Sequence, residues 1–289
     1  MRNAIAVVFV MGILAAGVDT PAAAEEEGLP LNIMSFNIRL SPAADGPDSW
    51  EYRKFMVLDM LHHYDADIVA TQETMIDQAE FIDRHMDAYH WFGVGRNKDG
   101  GSEHMAIFYK PDVVRPIESG NLWLSETPDV PGSRSWDSSL PRMVTWARFQ
   151  YLPTDTQFYV YNTHFDHRGS RAREESARLI AEWVNERAAD TPVIVLGDFN
   201  ARGEDSEPWR ILTEDADLLD AWLTADETKG PVTTWSAFGP PDPDSDRRID
   251  WILYRGPIHA HLCETVLYNQ EGRYPSDHYP VFARLTLHP

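Results

Sequence analysis

The chain has a single cysteine, Cys263, among 289 residues. An intramolecular disulfide framework and a cysteine-rich zinc site are therefore excluded, and a small buried hydrophobe is the ordinary role for a solitary thiol. Positive charge is also scarce: 25 Lys and Arg stand against 46 Asp and Glu, a formal net charge of −21. That balance argues against an extended basic surface gripping a polynucleotide by phosphate neutralisation alone. It leaves room for a local basic site or a bridging metal. Internal repeats and low-complexity tracts are absent, and beyond the opening segment no run is apolar enough for a bilayer span of about 20 residues. What remains, 43% hydrophobic and 11% aromatic residues, is sufficient for a large core and far from a disordered composition.

The opening, MRNAIAVVFVMGILAAGVDTPAAAEEEG, reads as a secretory leader. Arg2 supplies the positive start, residues 4–18 form an apolar run shorter than a membrane span, and Ala22, Ala23 and Ala24 offer small residues before a cut at Glu25. The expectation is a signal peptide over 1–24, a single domain over 25–289, and a protein secreted or periplasmic without stable membrane insertion.

From Leu31 onward, extended and helical patterns alternate without a linker. Strand-like runs cover 31–38, 67–73, 104–110, 143–150, 157–164, 192–196, 249–254 and 279–287, each rich in Ile, Val, Phe and Tyr and bounded by Gly, Pro, Asp or Asn. Three helices are predicted: 50–64, opened by an Asp48–Glu51 capping-box pattern; 76–88; and 170–189, with Ala177, Ile180, Ala181, Val184 and Ala188 at helical spacing. Strands outnumber helices and do not alternate strictly with them. A mixed sheet, or two packed sheets with outer helices, fits this order better than a fully parallel sheet. Two long irregular stretches, 125–141 and 237–247, are candidate substrate-facing loops, the first carrying Trp136 as a candidate stacking residue.

The conspicuous polar residues share a position: they close apolar strand runs. Asn37 closes LNIMSFN, Glu73 closes DIVATQE, His164 closes FYVYNTH, and Asp198 and Asn200 close VIVLGDFN. Ligands in α/β proteins bind beyond the carboxyl ends of strands, so four such endings suggest one shared rim. Asp198 and Asn200, two apart, point the same way if the strand continues, and Gly197 permits close approach of backbone or ligand. Asp250 begins another strand, and Ser276-Asp277-His278 precedes the last. The set is oxygen-rich, which favours Mg²⁺, Mn²⁺ or Ca²⁺ over zinc.

At these residues the sequence resembles the endonuclease/exonuclease/phosphatase superfamily, the deoxyribonuclease-I-like metal-dependent phosphoesterases. The matching pieces are MSFNIR, QET at 72–74, THFDHRG at 163–169, GDFN at 197–200, RID at 248–250 and SDH at 276–278, all in family order. The resemblance implies a four-layer α/β sandwich, two packed mixed β-sheets flanked by helices. It implies Asn37 and Glu73 as the principal metal site, with Asp277 as a further or water-mediated ligand. Asp198 is implied to orient or deprotonate the attacking water, Asn200 to hold it or a phosphoryl oxygen, and Asp250 to orient His278. His164 is implied to serve the phosphoryl oxygen or the leaving group, and Glu103 resembles the acidic residue that pairs with that histidine in the secreted nucleases. Which residue is the general base stays open.

Basic residues near these motifs are candidate phosphate contacts: Arg142 ahead of its strand, and Arg168, Arg171 and Arg173 at the start of the third helix, where backbone N–H groups favour anions. Asp166 reads as a cap or loop contact, and His167 is undecided. The preferred reading is a metal-dependent hydrolase of a small phosphoester by direct attack of water, with no protein partner indicated. A secreted DNA or RNA nuclease, and an inactive binding protein on the same scaffold, are the alternatives.

Overall fold

Strand Leu31–Asn37 is buried along nearly its whole length, and alternate side chains serve different cores. Leu31 and Ile33 face one cluster, Met34 and Phe36 another. Strand Val193–Asp198 divides likewise, Ile194 and Leu196 to the first cluster, Val193 and Val195 to a third. A strand covered on both faces must be apolar at successive positions, which is why these runs read as continuous rather than alternating. Two sheets packed on a shared core, each with helices outside, satisfy that requirement.

The computed structural model describes Met1, residues 30–188 and residues 190–288; the expected leader from residue 2 to its cleavage point lies outside the described residues. In chain order the strands are β1 Leu31–Asn37, β2 Ile68–Gln72, β3 His90–Phe92, β4 Ile107–Tyr109, β5 Val114–Trp123, β6 Met143–Tyr151 and β7 Thr156–His164. They continue as β8 Val193–Asp198, β9 Leu219–Asp220, β10 Glu227–Lys229, β11 Asp250–Arg255, β12 Ile258–Thr265 and β13 Val281–Leu287. One sheet has seven strands in the order β10-β12-β13-β1-β2-β4-β3, the other six in the order β5-β6-β7-β8-β11-β9. Both are mixed: β1–β2 and β7–β8 are parallel, most other pairs antiparallel. Helices α1 Trp50–Tyr64 and α2 Ile76–His85 cover the outer face of the first sheet through Val57, Met60, Leu61 and Ile82. Helix α3 Ser170–Asn185 covers the second through Ala177, Ile180 and Val184. The expected four-layer α/β sandwich is thus observed.

Some local expectations are corrected. The Asp48–Glu51 capping box does not form: Asp48 ends a 3₁₀ turn, Gly46–Asp48, and Ser49 is the residue that precedes α1. Strands β5 and β12 were not read from the sequence. β5 (VRPIESGNLW) carries a proline and exposed charges because it is a sheet edge, where a missing N–H is tolerated and a bulge falls between Pro116 and Glu118. Cys263 on β12 is buried, as a solitary structural thiol should be.

Candidate active site

Register assembles the site. On the second sheet His164 at the end of β7 pairs with Asp198 at the end of parallel β8, and Asp250, starting antiparallel β11, pairs with Asp198 from the other side. Three functional side chains therefore stand abreast on adjacent strands. On the first sheet, parallel β1 and β2 end together at Asn37 and Gln72, putting Glu73 beside Asn37. Asn37 joins the two sheets, its Nδ2 donating to Glu73 Oε1 and to Asp198 Oδ2 at 3.0 Å each.

Gly197 explains how β7 and β8 sit so close. Its φ is +152°, and a Cβ there would lie 2.0 Å from the Thr163 carbonyl oxygen on β7. The close approach allowed by this glycine is backbone on backbone. The strand does not continue past Asp198. Asn200 has φ of 48°, and its N–H donates to Asp198 Oδ1 at 2.9 Å, so a tight turn, not strand alternation, brings the two side chains together. Arg39 and Glu73, each just past a strand end, also adopt positive φ of 58°. Non-glycine residues held in this region store backbone strain of about 1–3 kcal/mol each, which the surroundings must over-determine. Those surroundings are α1 and α2: buried Arg53 donates to the carbonyls of Ile38, Arg39, Asp48 and Pro275, while buried Gln78 accepts from Ser41 N and donates to the Arg39 carbonyl.

Asp198 is the hub. Its Oδ2 lies 3.3 Å from His164 Nε2 and 3.8 Å from His278 Nε2. Burial, reinforced by the nearby Asp250 carboxylate, pushes its pKa up to about 7. His278 Nδ1 donates to Asp250 Oδ2 at 2.9 Å, which turns Nε2 toward Asp198. Burial opposes the charge on this imidazole, but the carboxylates of Asp250 and Asp198 outweigh it and hold His278 well above the usual histidine range. His164 goes the opposite way: burial, with Arg142 and Arg96 nearby, holds it well below that range. Its Nε2 accepts from Asn200 Nδ2 at 3.0 Å, and its Nδ1 stands 3.9 Å from Glu103 Oε2. Glu103 is bound more tightly to Arg96, at 2.6 and 2.7 Å, and is raised by burial.

Glu103, His164, Asp198, Asn200 and His278 line a pocket of about 270 Å³ together with Arg39, Leu40, Glu73, Leu140, Arg142, His167, Trp235 and Asp277, with Asp250 and Arg96 behind them. Arg142 is buried, donates to His167 Nδ1 at 3.0 Å and is ion-paired through Nε with Asp166 Oδ2 at 3.6 Å, while its Nη1 makes no hydrogen bond among the described residues. Uncommitted guanidinium N–H groups at a pocket wall suit an anionic oxygen. Arg39 Nη1 straddles two carboxylates, 4.0 Å from Glu73 Oε2 and 3.7 Å from Asp277 Oδ2. Burial raises Asp277 above the usual carboxylate range. Two acids on one pocket wall, both drawing a guanidinium, are oxygen donors of the kind a hard divalent cation takes, and Glu73 also has a ligand atom within 4.8 Å of ones from His164 and Asp198. Asn37 sits differently: its Oδ1 accepts from Arg39 N at 3.0 Å, so here the amide gathers carboxylates with its NH₂.

The structure does not bring Arg168, Arg171 and Arg173 to the pocket. Arg171 is exposed and pairs with Glu175, Arg173 donates to the Asp166 carbonyl, and Arg168 is exposed. Several N–H groups around this helix start are engaged internally, those of Arg168 and Gly169 by Asp166 Oδ1 and that of Ala172 by Asp137 Oδ1. Asp166 is the loop contact it was read as, and also accepts from Ser139. Trp136 does not line the pocket; Trp235 does, held there because residues 234–237 pair with Asp277, His278 and Tyr279. Trp235 and buried Arg53 had no signal in the sequence, since only folding sets them beside the SDH motif. Arg39, the last residue of MSFNIR, was in view but unassigned.

Carboxylate, imidazole and amide groups on strand ends, around an arginine-walled pocket between two packed sheets, define a phosphoesterase-type hydrolase. The chain belongs to the Endonuclease/Exonuclease/phosphatase family, whose model matches residues 34–278. A family protein of Bacteroides thetaiotaomicron superposes with a TM-score of 0.84 at 33% identity, covering 91% of this chain and 99% of that one. The mannosyl-6-phosphatase of the same organism gives 0.83 at 32% identity, covering 89% and 100%. The human Nocturnin catalytic domain shares the fold, with a TM-score of 0.69 at 22% identity over 90% and 94% of the two chains. Among curated sequences, the chain spans 59% of an uncharacterized protein of Acanthamoeba polyphaga mimivirus and 27% of Drosophila melanogaster Nocturnin, at 27% and 25% identity over 52% and 59% of its own length.

Proposed function

We propose that this protein is an exported, divalent-metal-dependent phosphoester hydrolase that cleaves a small phosphoester by in-line attack of water at phosphorus. The observation that carries the reading is Asp198, one carboxylate within 3.8 Å of two histidines and bonded to Asn37, at the wall of a pocket that also holds Arg142 with its Nη1 free of hydrogen bonds. A group with pKa near 7 is matched to taking a proton from water at neutral pH. His278, kept protonated by Asp250, adds a positive N–H against the same pocket, and Arg142 supplies a donor for phosphoryl oxygens, while Asn200 spends its Nδ2 on His164 Nε2 and the Phe165 carbonyl and so holds that imidazole in place. Glu73 and Asp277, with Asn37 beside them, would hold Mg²⁺ or Mn²⁺, which when bound neutralises charge gathering on the phosphoryl oxygens. No serine or cysteine nucleophile is required.

The pocket volume of about 270 Å³ supports a compact substrate. Trp235 at its rim, with Arg247 stacked 4.0 Å from its ring centroid, offers a flat apolar surface to the leaving group. The likeness to a mannosyl-6-phosphatase makes a hexose 6-phosphate the first substrate to test. The reading of residues 1–24 as a leader supports export.

The decisive experiment is a panel of hexose 6-phosphate, aryl phosphomonoester, aryl phosphodiester, plasmid DNA, poly(A) and sphingomyelin, with Mg²⁺ or Mn²⁺ and with EDTA. Turnover is expected on small phosphoesters, lost in EDTA and reduced about 10²–10⁴-fold by Asp198→Asn or His278→Ala. Arg142→Ala should raise KM, whereas Arg171→Ala should not. Undiminished turnover in EDTA refutes the metal assignment. Preference for DNA or RNA moves the reading to a nuclease, and inertness throughout moves it to a binding protein.

A further inference from the structure

The far edge of the seven-stranded sheet carries a cluster that the hydrolytic site does not use. Asp226, just ahead of edge strand β10, lies against His259 and His261 of β12. One ligand atom from each residue falls within 4.8 Å of the others. Asp226 Oδ2 is 2.8 Å from His259 Nε2 and 3.5 Å from His261 Nδ1. Donor atoms of a tetrahedral zinc site, each about 2.0–2.2 Å from the ion, stand about 3.3 Å apart. The two observed separations bracket that value.

Three features show how the fold builds this arrangement. The β12–β13 register shifts between Ala260 and Leu262, so His261 is the extra residue of a bulge with no ladder partner. A bulge re-aims a side chain, and here His259 and His261 both face outward, ring centroids 4.6 Å apart. Asp226 is fixed to the same strand, its N–H donating to the Ala260 carbonyl at 3.0 Å. Finally, His261 Nε2 bonds Thr286 Oγ1 on β13 at 2.8 Å. An imidazole engaged at one nitrogen by a neighbouring hydroxyl is oriented at the other, the usual outer support of a metal-bound histidine.

From this geometry we propose that Asp226, His259 and His261 form a second metal site, taking a borderline transition cation such as Zn²⁺ and leaving a coordination position to water. Two imidazoles and a carboxylate select zinc, copper or nickel, unlike the all-oxygen acids of the pocket. The site lies toward the opposite end of β13 from Asp277 and His278, since His259 pairs with Thr286 and the strand runs from Val281 to Leu287. The ion would tie β10, β12 and, through Thr286, β13 into one edge. Its role is binding and edge stabilisation, independent of phosphoester cleavage.

The test is Zn²⁺ binding to the full chain in excess Mg²⁺, followed by calorimetry and by thermal unfolding. Wild type should bind one more equivalent than the His259→Ala/His261→Ala double variant and gain Tm with zinc that the variant does not. Thr286→Val should keep the stoichiometry and weaken this affinity about 10-fold or more. Unfolding in EDTA, expected to be alike for all three, shows that the variants fold. Equal zinc stoichiometry in wild type and double variant overturns the proposal, and so does a Thr286→Val affinity equal to wild type.

Discussion

Asp198 lies 3.0 Å from Asn37 Nδ2, 3.3 Å from His164 and 3.8 Å from His278, and burial holds its pKa near 7. A carboxyl whose folded pKa exceeds its unfolded value binds its proton more tightly when folded. Its contribution therefore favours folding at low pH and is lost as pH rises from the unfolded value near 4 through about 7. Above that, the ionised group is a standing cost to the fold. Asp198→Asn should then do two things at once: reduce turnover by about 10²–10⁴-fold, and stabilise the metal-free protein at pH 8 by on the order of 1 kcal/mol. The stabilisation should shrink at pH 5, where wild-type Asp198 is already protonated. Urea unfolding of both proteins in EDTA at the two pH values measures it. A variant less stable than wild type at pH 8 would mean that the hydrogen bonds to Asn37 and Asn200 outweigh the buried charge.

Elements deliver these residues through register, and Gly197 is the point where register is most exposed. A Cβ there meets the Thr163 carbonyl at 2.0 Å and also faces a φ of +152°, so it is opposed by both sterics and backbone. Gly197→Ala should destabilise by about 3 kcal/mol or more, the sum of strain and overpacking, and should displace His164 from Asp198. The urea midpoint reads this out, and a shift equivalent to under about 0.5 kcal/mol would contradict the close-approach account. The strand ends were legible in sequence because β1, β2, β7 and β8 are buried on both faces, so their apolar runs stop visibly at Asn37, Glu73, His164 and Asp198. Edge strand β5 was not, since half-exposed strands carry no such contrast. The start of α3 misled for a different reason. Basic residues at a helix N-terminus predict an anion site only while the N–H groups are free and the arginines face the pocket; Asp166 and Asp137 take the N–H groups of Arg168, Gly169 and Ala172, and Arg173 turns to the Asp166 carbonyl. Arg53 was invisible because a lone arginine on a helix reads as solvent-facing until its carbonyl partners from 38–39 and 275 are brought around it.

At the scale of the whole molecule, the −21 charge and the pocket have opposite signs of influence. Arg39, Arg96 and Arg142 gather within and behind one small cavity beside Glu73, Glu103, Asp198 and Asp277, so that a divalent cation held there would, with the arginines, turn the local field positive within a chain that is acidic overall. A compact phosphoester samples the local field once inside, where screening is weak. A polyanion extends beyond the cavity over tens of ångströms and meets the surrounding negative surface, a repulsion that salt removes because the Debye length is about 10 Å at 0.1 M. The ratio of kcat/KM for a long single-stranded oligonucleotide to that for a hexose 6-phosphate should therefore rise as NaCl goes from about 20 to 200 mM at fixed Mg²⁺. Proteins that hold nucleic acid through phosphate contacts show the reverse, losing affinity steeply over the same interval through counterion release. A falling ratio would place a basic nucleic-acid track on this surface that the arginine positions do not provide. A rising one follows if acidity outside the cavity, and the arginines with a bound cation inside it, together restrict the substrate to what the cavity can enclose.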